Sequence, residues 1–232
     1  MKFCPEDFFD FSETDHADLF RPGEAAWAAL PRIEAYLAEK LNRVGSETQQ
    51  GQVHERAIVG DRVYLAPGSR VEANAVIKGP AWIGRGTVIR SGAYLRENVV
   101  VGDHCVLGNS SEFKNCLLFN RCEIPHYDYV GDSILGYKAH LGAGVICSNV
   151  RLDRRLVTVR EENGERIETG LPKFGAIIGD RTEVGCQTVL GPGTILGRDC
   201  ILHPLVSWTG VLESGRIVKN RMALEIGENR NL

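Results

Sequence analysis

Counting in sixes from Val59 lands on Leu65, Val71, Ile77, Ile83, Ile89, Leu95, Val101, Leu107, Phe113 and Phe119, an unbroken row of eleven apolar positions. In a chain with 43% apolar residues, such a run arises by chance about once in ten thousand registers, so the period reports structure. Four residues after each beat stand Val63, Ser69, Ala75, Ala81, Thr87, Ala93, Val99, Cys105, Ser111 and Leu117, all small or apolar, until Glu123 ends the series. A large inward residue at i with a smaller one at i+4 fits neither the 3.6-residue helix period nor simple strand alternation. It fits a hexapeptide solenoid. The expected fold class is all-β: a parallel β-helix whose coils each use three six-residue sides, with neighbouring coils about 4.8 Å apart.

The flanking stretches read differently. Residues 1–50 are expected to form a small N-terminal helical cap, because Ile33, Tyr36, Leu37, Leu41 and Val44 recur at three and four residues after Pro31. A shorter helix is expected before it, around 23–30. A cap of this kind would cover the bare strand edges at an open end. The β-helix is expected over 51–210. After Phe119 the beat stumbles, with Pro125 on the next position and irregular structure predicted over 123–136. About 150–175 the pattern stops, and LVTVREENGERIETG alternates around Asn163-Gly164 like a projecting hairpin. Residues 211–232 are read as a closing segment and a tail that lies on a neighbour.

Eighteen residues per coil align Lys78, Arg96 and Lys114 on one corner. Like charges so close repel, which calls for a bound anion or interleaved carboxylates, unless the stems splay into solvent. A net charge of -3 with no block of like charges sets nucleic acid aside as a partner. The acidic start MKFCPEDFFDF and the lack of an eighteen-residue apolar run set aside a signal peptide and a membrane span, so a cytoplasmic chain is expected. The seven cysteines form no CxxC pair and suit a reduced core. His16, His54, His104 and His203 lack metal-ligand spacing, and no metal is expected.

The polar chemistry concentrates in SSEFKN with Glu112 and Lys114, PHYDYVGD with His126 and Tyr129, KAHLGAG with His140, CSNV with Asn149, and PKFGAIIGD with Lys173. A histidine titrating near neutrality suits proton removal from an amine or hydroxyl, although a lone histidine is more often structural. These motifs, in this order on hexapeptide repeats, resemble the C-terminal acetyltransferase domain of the bifunctional enzyme that makes UDP-N-acetylglucosamine. They also resemble the β-helix tails of sugar-phosphate nucleotidylyltransferases. The resemblance covers about 89–210. It implies a left-handed coil, a homotrimer with sites between subunits, and acetyl-CoA as co-substrate.

Carried over by residue, the resemblance implies His126 as general base and Tyr129 as a substrate contact. Arg96 and Lys114 would hold the sugar phosphate, with Glu112, Asn149 and Lys173 beside them. Gly142 and Ala143 would present backbone N–H groups to the acetyl carbonyl, and Cys186 and His203 would face the cofactor. His140 stands where the family has an asparagine, and Cys186 where it has a serine. The expected function is acyl transfer from acyl-CoA to the amino group of a sugar phosphate or nucleotide-sugar precursor. The alternative is a non-catalytic trimer that binds a nucleotide sugar and regulates or scaffolds a separate nucleotidylyltransferase. No nucleotidylyltransferase activity is expected of this chain alone.

Overall fold

The computed structural model describes residues 2–45, 48–161 and 163–221 and shows a parallel β-solenoid. Three sheets of nine, eight and eight strands run its length, and each coil adds one short strand to each. The first sheet opens with Gln52–Val53, the second with Ile58–Val59 and the third with Val63–Leu65. Strands of two or three residues have no stability alone. Their backbone groups are satisfied by adjacent coils, as when Lys78 N–H donates to Leu95 O and Arg96 N–H to Phe113 O, both at 2.8 Å. Eighteen-residue steps pair Val63 with Ala81 and Ile77 with Leu95. The six-beat row from Leu65 to Phe113 is the buried core, with Ala75, Ala81, Ala93 and Cys105 beside it.

The beat shortens earlier than the sequence pattern suggests. Cys116 and Leu118 face the interior, whereas Leu117 and Phe119 face outward into a second apolar cluster. Phe119 is therefore not an inward position, and Ile124 rather than Pro125 takes the next one. Coils now close in seventeen residues, pairing Leu118 with Val101 and Leu135, and Val130 with Phe113 and Cys147. The stretch 123–136, expected to be irregular, is regular coil one residue short. At the far end Val211 pairs with Ile195 and Ile217 with Ile201, sixteen apart, so the solenoid continues to Val218 instead of ending at 210. The tail expected over 222–232 lies outside the described residues.

The N-terminal helix spans Ile33–Val44, preceded by a 3₁₀ helix, Ala26–Arg32, that contains Pro31. It does not seal the open end. It lies with residues 3–30 along the outer face of the third sheet, and the first coil's edge is met by the polar connector, Leu65 N–H donating to Thr48 O at 2.7 Å. The outward row of that sheet explains the choice: Tyr64, Trp82, Val100, Leu117, Ile134, Ile177, Ile195 and Val211 are all apolar or aromatic. Val100, Leu117, Ile134, Ile177 and Ile195 are fully buried under the flank. Each such burial stabilises by about 1.5–3 kcal/mol, more than shielding a few solvated edge groups would. The hairpin forms as predicted, Thr158–Arg160 against Arg166–Glu168. It does not project freely, because Val157 and Val159 are buried on the same flank.

Candidate functional site

With the third side covered by its own chain, the first and second sheets and the corners at either end of the second carry the candidate chemistry. Two of the three basic residues of the stripe are neutralised by carboxylates. Arg96 Nη1 donates to Glu112 Oε1 at 3.0 Å and its Nη2 lies 3.6 Å from Glu97 Oε1, while Lys114 Nζ lies 3.2 Å from Asp132 Oδ1. The hydrogen bond to Glu112 raises the Arg96 pKa further. Lys78 rests over the Tyr94 ring, 5.2 Å from its centroid. Of the readings left open for the stripe, interleaved carboxylates is the one observed at Arg96 and Lys114.

Glu112, Tyr129 and Ile146 stand at successive positions of the second sheet's outward row. Asn149 Nδ2 donates to Tyr129 Oη at 3.2 Å and also to Asp132, which accepts from Asn115 at 3.0 Å. Arg96, Glu112, Lys114, Tyr129 and Asn149 thus share one polar corner. Asp132 ties them together and was not singled out in the sequence, although its place one eighteen-residue step after Lys114 marks it. Lys173 is exposed beside Phe174, whose N–H donates to Asn149 O at 3.0 Å. Its ammonium has no partner among the described residues.

His126 closes the strand Glu123–His126 at the corner between the first and second sheets. Its turn is fixed by backbone contacts: His126 N–H donates to Asp128 Oδ2 at 3.2 Å, Tyr127 N–H to Asn109 O at 2.9 Å, and His126 O accepts from Gly144 N–H at 3.0 Å. Tyr127 takes φ 57°, a left-handed conformation disfavoured for a bulky residue, and remains exposed. The His126 ring is exposed and makes no hydrogen bond among the described residues. Gly108 permits this geometry, since a Cβ there would fall 1.7 Å from Pro125 O. Asp128, also missed in the sequence, is the internal anchor. It is buried and accepts from Val145 N–H at 2.9 Å, and burial pushes its pKa up to about 7 despite these hydrogen bonds.

On the first sheet His140, Gly142, Cys186, Ile201, His203 and Pro204 help line a groove of about 330 Å³. His140 is not beside His126. Its Nδ1 is 2.7 Å from Glu183 Oε2, in the middle of the sheet's outward row. The two backbone donors expected at 142 and 143 are not equivalent. Gly142 N–H is engaged with Val184 O at 2.7 Å, while Ala143 N–H has no acceptor among the described residues. Gly142 lines the groove, and two residues further on Gly144 N–H bonds the backbone of His126. Groove, histidine and polar corner therefore follow one another around the solenoid. Such an order suits a slender apolar donor on one side and an anionic acceptor on the other, meeting at a base.

Residues 77–211 match the family described as the GMPPB C-terminal domain. The chain is 39% identical over 110 residues to the bifunctional protein GlmU of Methanococcus vannielii, covering 47% of this chain and 26% of that protein. It is 30% identical over 186 residues to the putative uncharacterized acetyltransferase YaiX of Escherichia coli K12, covering 78% and 80%. The chain thus spans 26% to 46% of the length of these GlmU relatives and most of the length of YaiX. A solved structure of mutant GDP-perosamine N-acetyl transferase from Caulobacter crescentus, with CoA and GDP-perosamine, shares 18% identity at a TM-score of 0.30, over 80% of this chain and 61% of that one. A likeness so distant carries nothing about chemistry.

Proposed function

The chain belongs to the family of the GMPPB C-terminal domain, as a hexapeptide-repeat domain of the acetyltransferase kind, and we propose that it is a coenzyme A-dependent sugar N-acyltransferase. The observation that carries this reading is His126, with its backbone held from several sides and its ring unpaired between the groove and the polar corner. His126 takes the proton from the attacking amino nitrogen as the C–N bond forms. The thioester C–S bond breaks, and the thiolate leaves toward the groove and is protonated through solvent by the proton that His126 took up, which restores the neutral base. Ala143 N–H is the donor suited to the developing oxyanion.

The acceptor is an amino-sugar phosphate or nucleotide-linked amino sugar. Tyr129, Asn149, Arg96 and Lys114 contact it, with Lys173 supplying charge that no carboxylate offsets among the described residues. Gly142, Cys186 and His203 line the path of the coenzyme A arm, whose mostly apolar stem suits this groove. His140 acts on the donor side with Glu183. The relative named acetyltransferase YaiX supports acetyl transfer, and the bifunctional sugar-1-phosphate nucleotidylyltransferase/acetyltransferase of Sulfurisphaera tokodaii, 31% identical over 152 residues, supports the link to sugar phosphates. The active unit is a homotrimer in which a second copy closes the groove.

The test is thiol release from acetyl-CoA across a panel of amino-sugar phosphates and nucleotide-linked amino sugars, with wild-type chain and His126→Ala. Release that the substitution abolishes is the expected result. Binding of an acceptor with no release from any pair would remove the catalytic reading. It would favour the non-catalytic module, for which the carboxylate pairing of Arg96 and Lys114 speaks.

A further inference from the structure

The insertion that interrupts the solenoid leaves the corner between the second and third sheets just after Asn149. Lys114 lies two coils away on the same ridge, about 10 Å by strand spacing. The first turn of the insertion is pinned from within. Arg151 donates through Nε and Nη2 to both oxygens of Asp153, at 2.9 and 2.6 Å. Asp153 Oδ1 also accepts from Arg155 N–H at 3.2 Å, and Arg154 N–H donates to Arg151 O at 3.1 Å. The turn therefore presents Arg154 and Arg155 in a fixed place while its own carboxylate is satisfied.

Opposite stands the outward face of the hairpin, where strand alternation sets Thr158, Arg166 and Glu168 together because Val159 and Ile167 take the inner face. A cavity of about 560 Å³ lies between, lined by Arg151, Arg154, Arg155, Thr158, Arg166 and Glu168. The guanidinium groups of Arg154, Arg155 and Arg166 make no ion pair or hydrogen bond among the described residues. Arg96 and Lys114, by contrast, are each held by a carboxylate. Among the described residues, these three guanidinium groups of the insertion lack the carboxylate partners that Arg96 and Lys114 have in the stripe.

Three unpaired guanidinium groups at one mouth repel, and a multiply charged anion relieves them. Guanidinium forks match phosphate oxygens through paired N–H groups. A single phosphate is small for arginines presented by two separate elements, whereas two linked phosphoryl groups reach both. Glu168 repels a bare phosphate but accepts from hydroxyls of an adjoining ribose, as carboxylates do in nucleotide sites. A polymeric nucleic-acid backbone fits less well, since the mouth is concave and the chain carries a net charge of -3.

We propose that this arginine cavity binds the pyrophosphate group of a nucleotide-linked sugar, and so selects that substrate class for the neighbouring corner. The fate of the sugar rests on the acyl-transfer reading above; the binding does not. Calorimetric titration of the full chain with inorganic pyrophosphate, inorganic phosphate, a nucleoside diphosphate, a nucleotide-linked amino sugar and hexosamine 1-phosphate tests it. The double variant Arg154→Ala/Arg155→Ala and the single variant Arg166→Ala are expected to weaken pyrophosphate and the nucleotide sugar at least tenfold. Hexosamine 1-phosphate should change by less than twofold, and unfolding midpoints should not move, because these side chains are exposed.

Pyrophosphate binding no tighter than phosphate, or unaffected by the arginine variants, overturns the proposal. A nucleoside diphosphate that binds as tightly as its sugar-linked form overturns the substrate assignment and identifies a free-nucleotide site. Failure of thiol release with these titrations intact would remove the acyl-transfer reading alone.

Discussion

At the residue scale, His126 combines a fixed backbone with a free ring, an arrangement that serves proton transfer and contributes little to folding. His126→Ala is expected to lower turnover by about two to four orders of magnitude, the worth of a positioned base. Its unfolding midpoint should stay near that of the wild type. Unchanged thiol release, or loss of the fold, would remove the assignment. Asp128 beneath it has a pKa raised to about 7 by burial. Its folded form therefore holds more protons than the unfolded chain between about pH 4 and 7, and this contribution to stability is lost as pH rises through that window. Asp128→Asn should flatten the part of the pH–stability curve that falls there, and thermal unfolding at pH 4, 5.5 and 7 would show it. A curve of unchanged slope would mean that Asp128 titrates normally. Gly108→Ala tests the close approach that places the His126 turn. Relieving a contact of 1.7 Å requires backbone movement, and a loss of about 1–3 kcal/mol is expected together with reduced turnover. Full stability and activity would show that the coils separate freely.

At the element scale, the N-terminal flank is attached by apolar contacts and by polar ties, among them Asp10 N–H donating to buried Asp180 at 2.7 Å and a node around buried His16. His16 Nδ1 lies 2.8 Å from Tyr36 Oη and 3.2 Å from Lys40 Nζ, and its ring meets Trp82 edge-on. Burial, helped by Lys40, pushes the His16 pKa down to about 3. The folded form then holds fewer protons than the unfolded one, so its contribution is fully present above about pH 6.5 and declines as pH falls toward 3. The decline is about 1.4 kcal/mol per pH unit. Hydrogen exchange across 2–45 should accelerate over that window in the wild type and not in His16→Gln, which keeps a hydrogen-bonding side chain without the titration. Equal acceleration in both would place the acid-sensitive contact elsewhere. Because the hairpin residues Val157 and Val159 bury on the same face, loosening of the flank should also expose them.

At the scale of the whole molecule, one side of the solenoid is covered by its own chain and two are not. Ile58 and Val189 on the second sheet, and Ile201 and Ile217 on the first, are exposed side chains that a neighbouring copy would cover. The proposed trimer would cover these side chains and set the first-sheet groove against a neighbour. Light scattering should give three times 25.5 kDa. A monodisperse monomer at micromolar concentration would remove the shared site and the reading built on it. Ile201→Glu, on the groove face, should shift the mass toward monomer while leaving the coil intact by circular dichroism.

The sequence by itself determined the coil and its interior, because inward direction along a strand depends only on local period. Leu65 through Phe113 needed no knowledge of distant residues, and the motif order around His126 likewise follows the chain. It also contained the outward apolar row from Tyr64 through Val100 to Ile134, which marks a covered side once one looks one position before the beat. Tertiary structure decided what depends on stacking. Shortening a coil by one residue turned Phe119 out of the core, and set Tyr129 on Glu112. It also decided that Asp132 and Glu112 would neutralise Lys114 and Arg96, whereas Arg154, Arg155 and Arg166 in the insertion have no such partner among the described residues. Electrostatic pairing acts between residues brought together across coils, and burial of an outer face is settled by a segment far away in the chain, so neither is visible to a period of six.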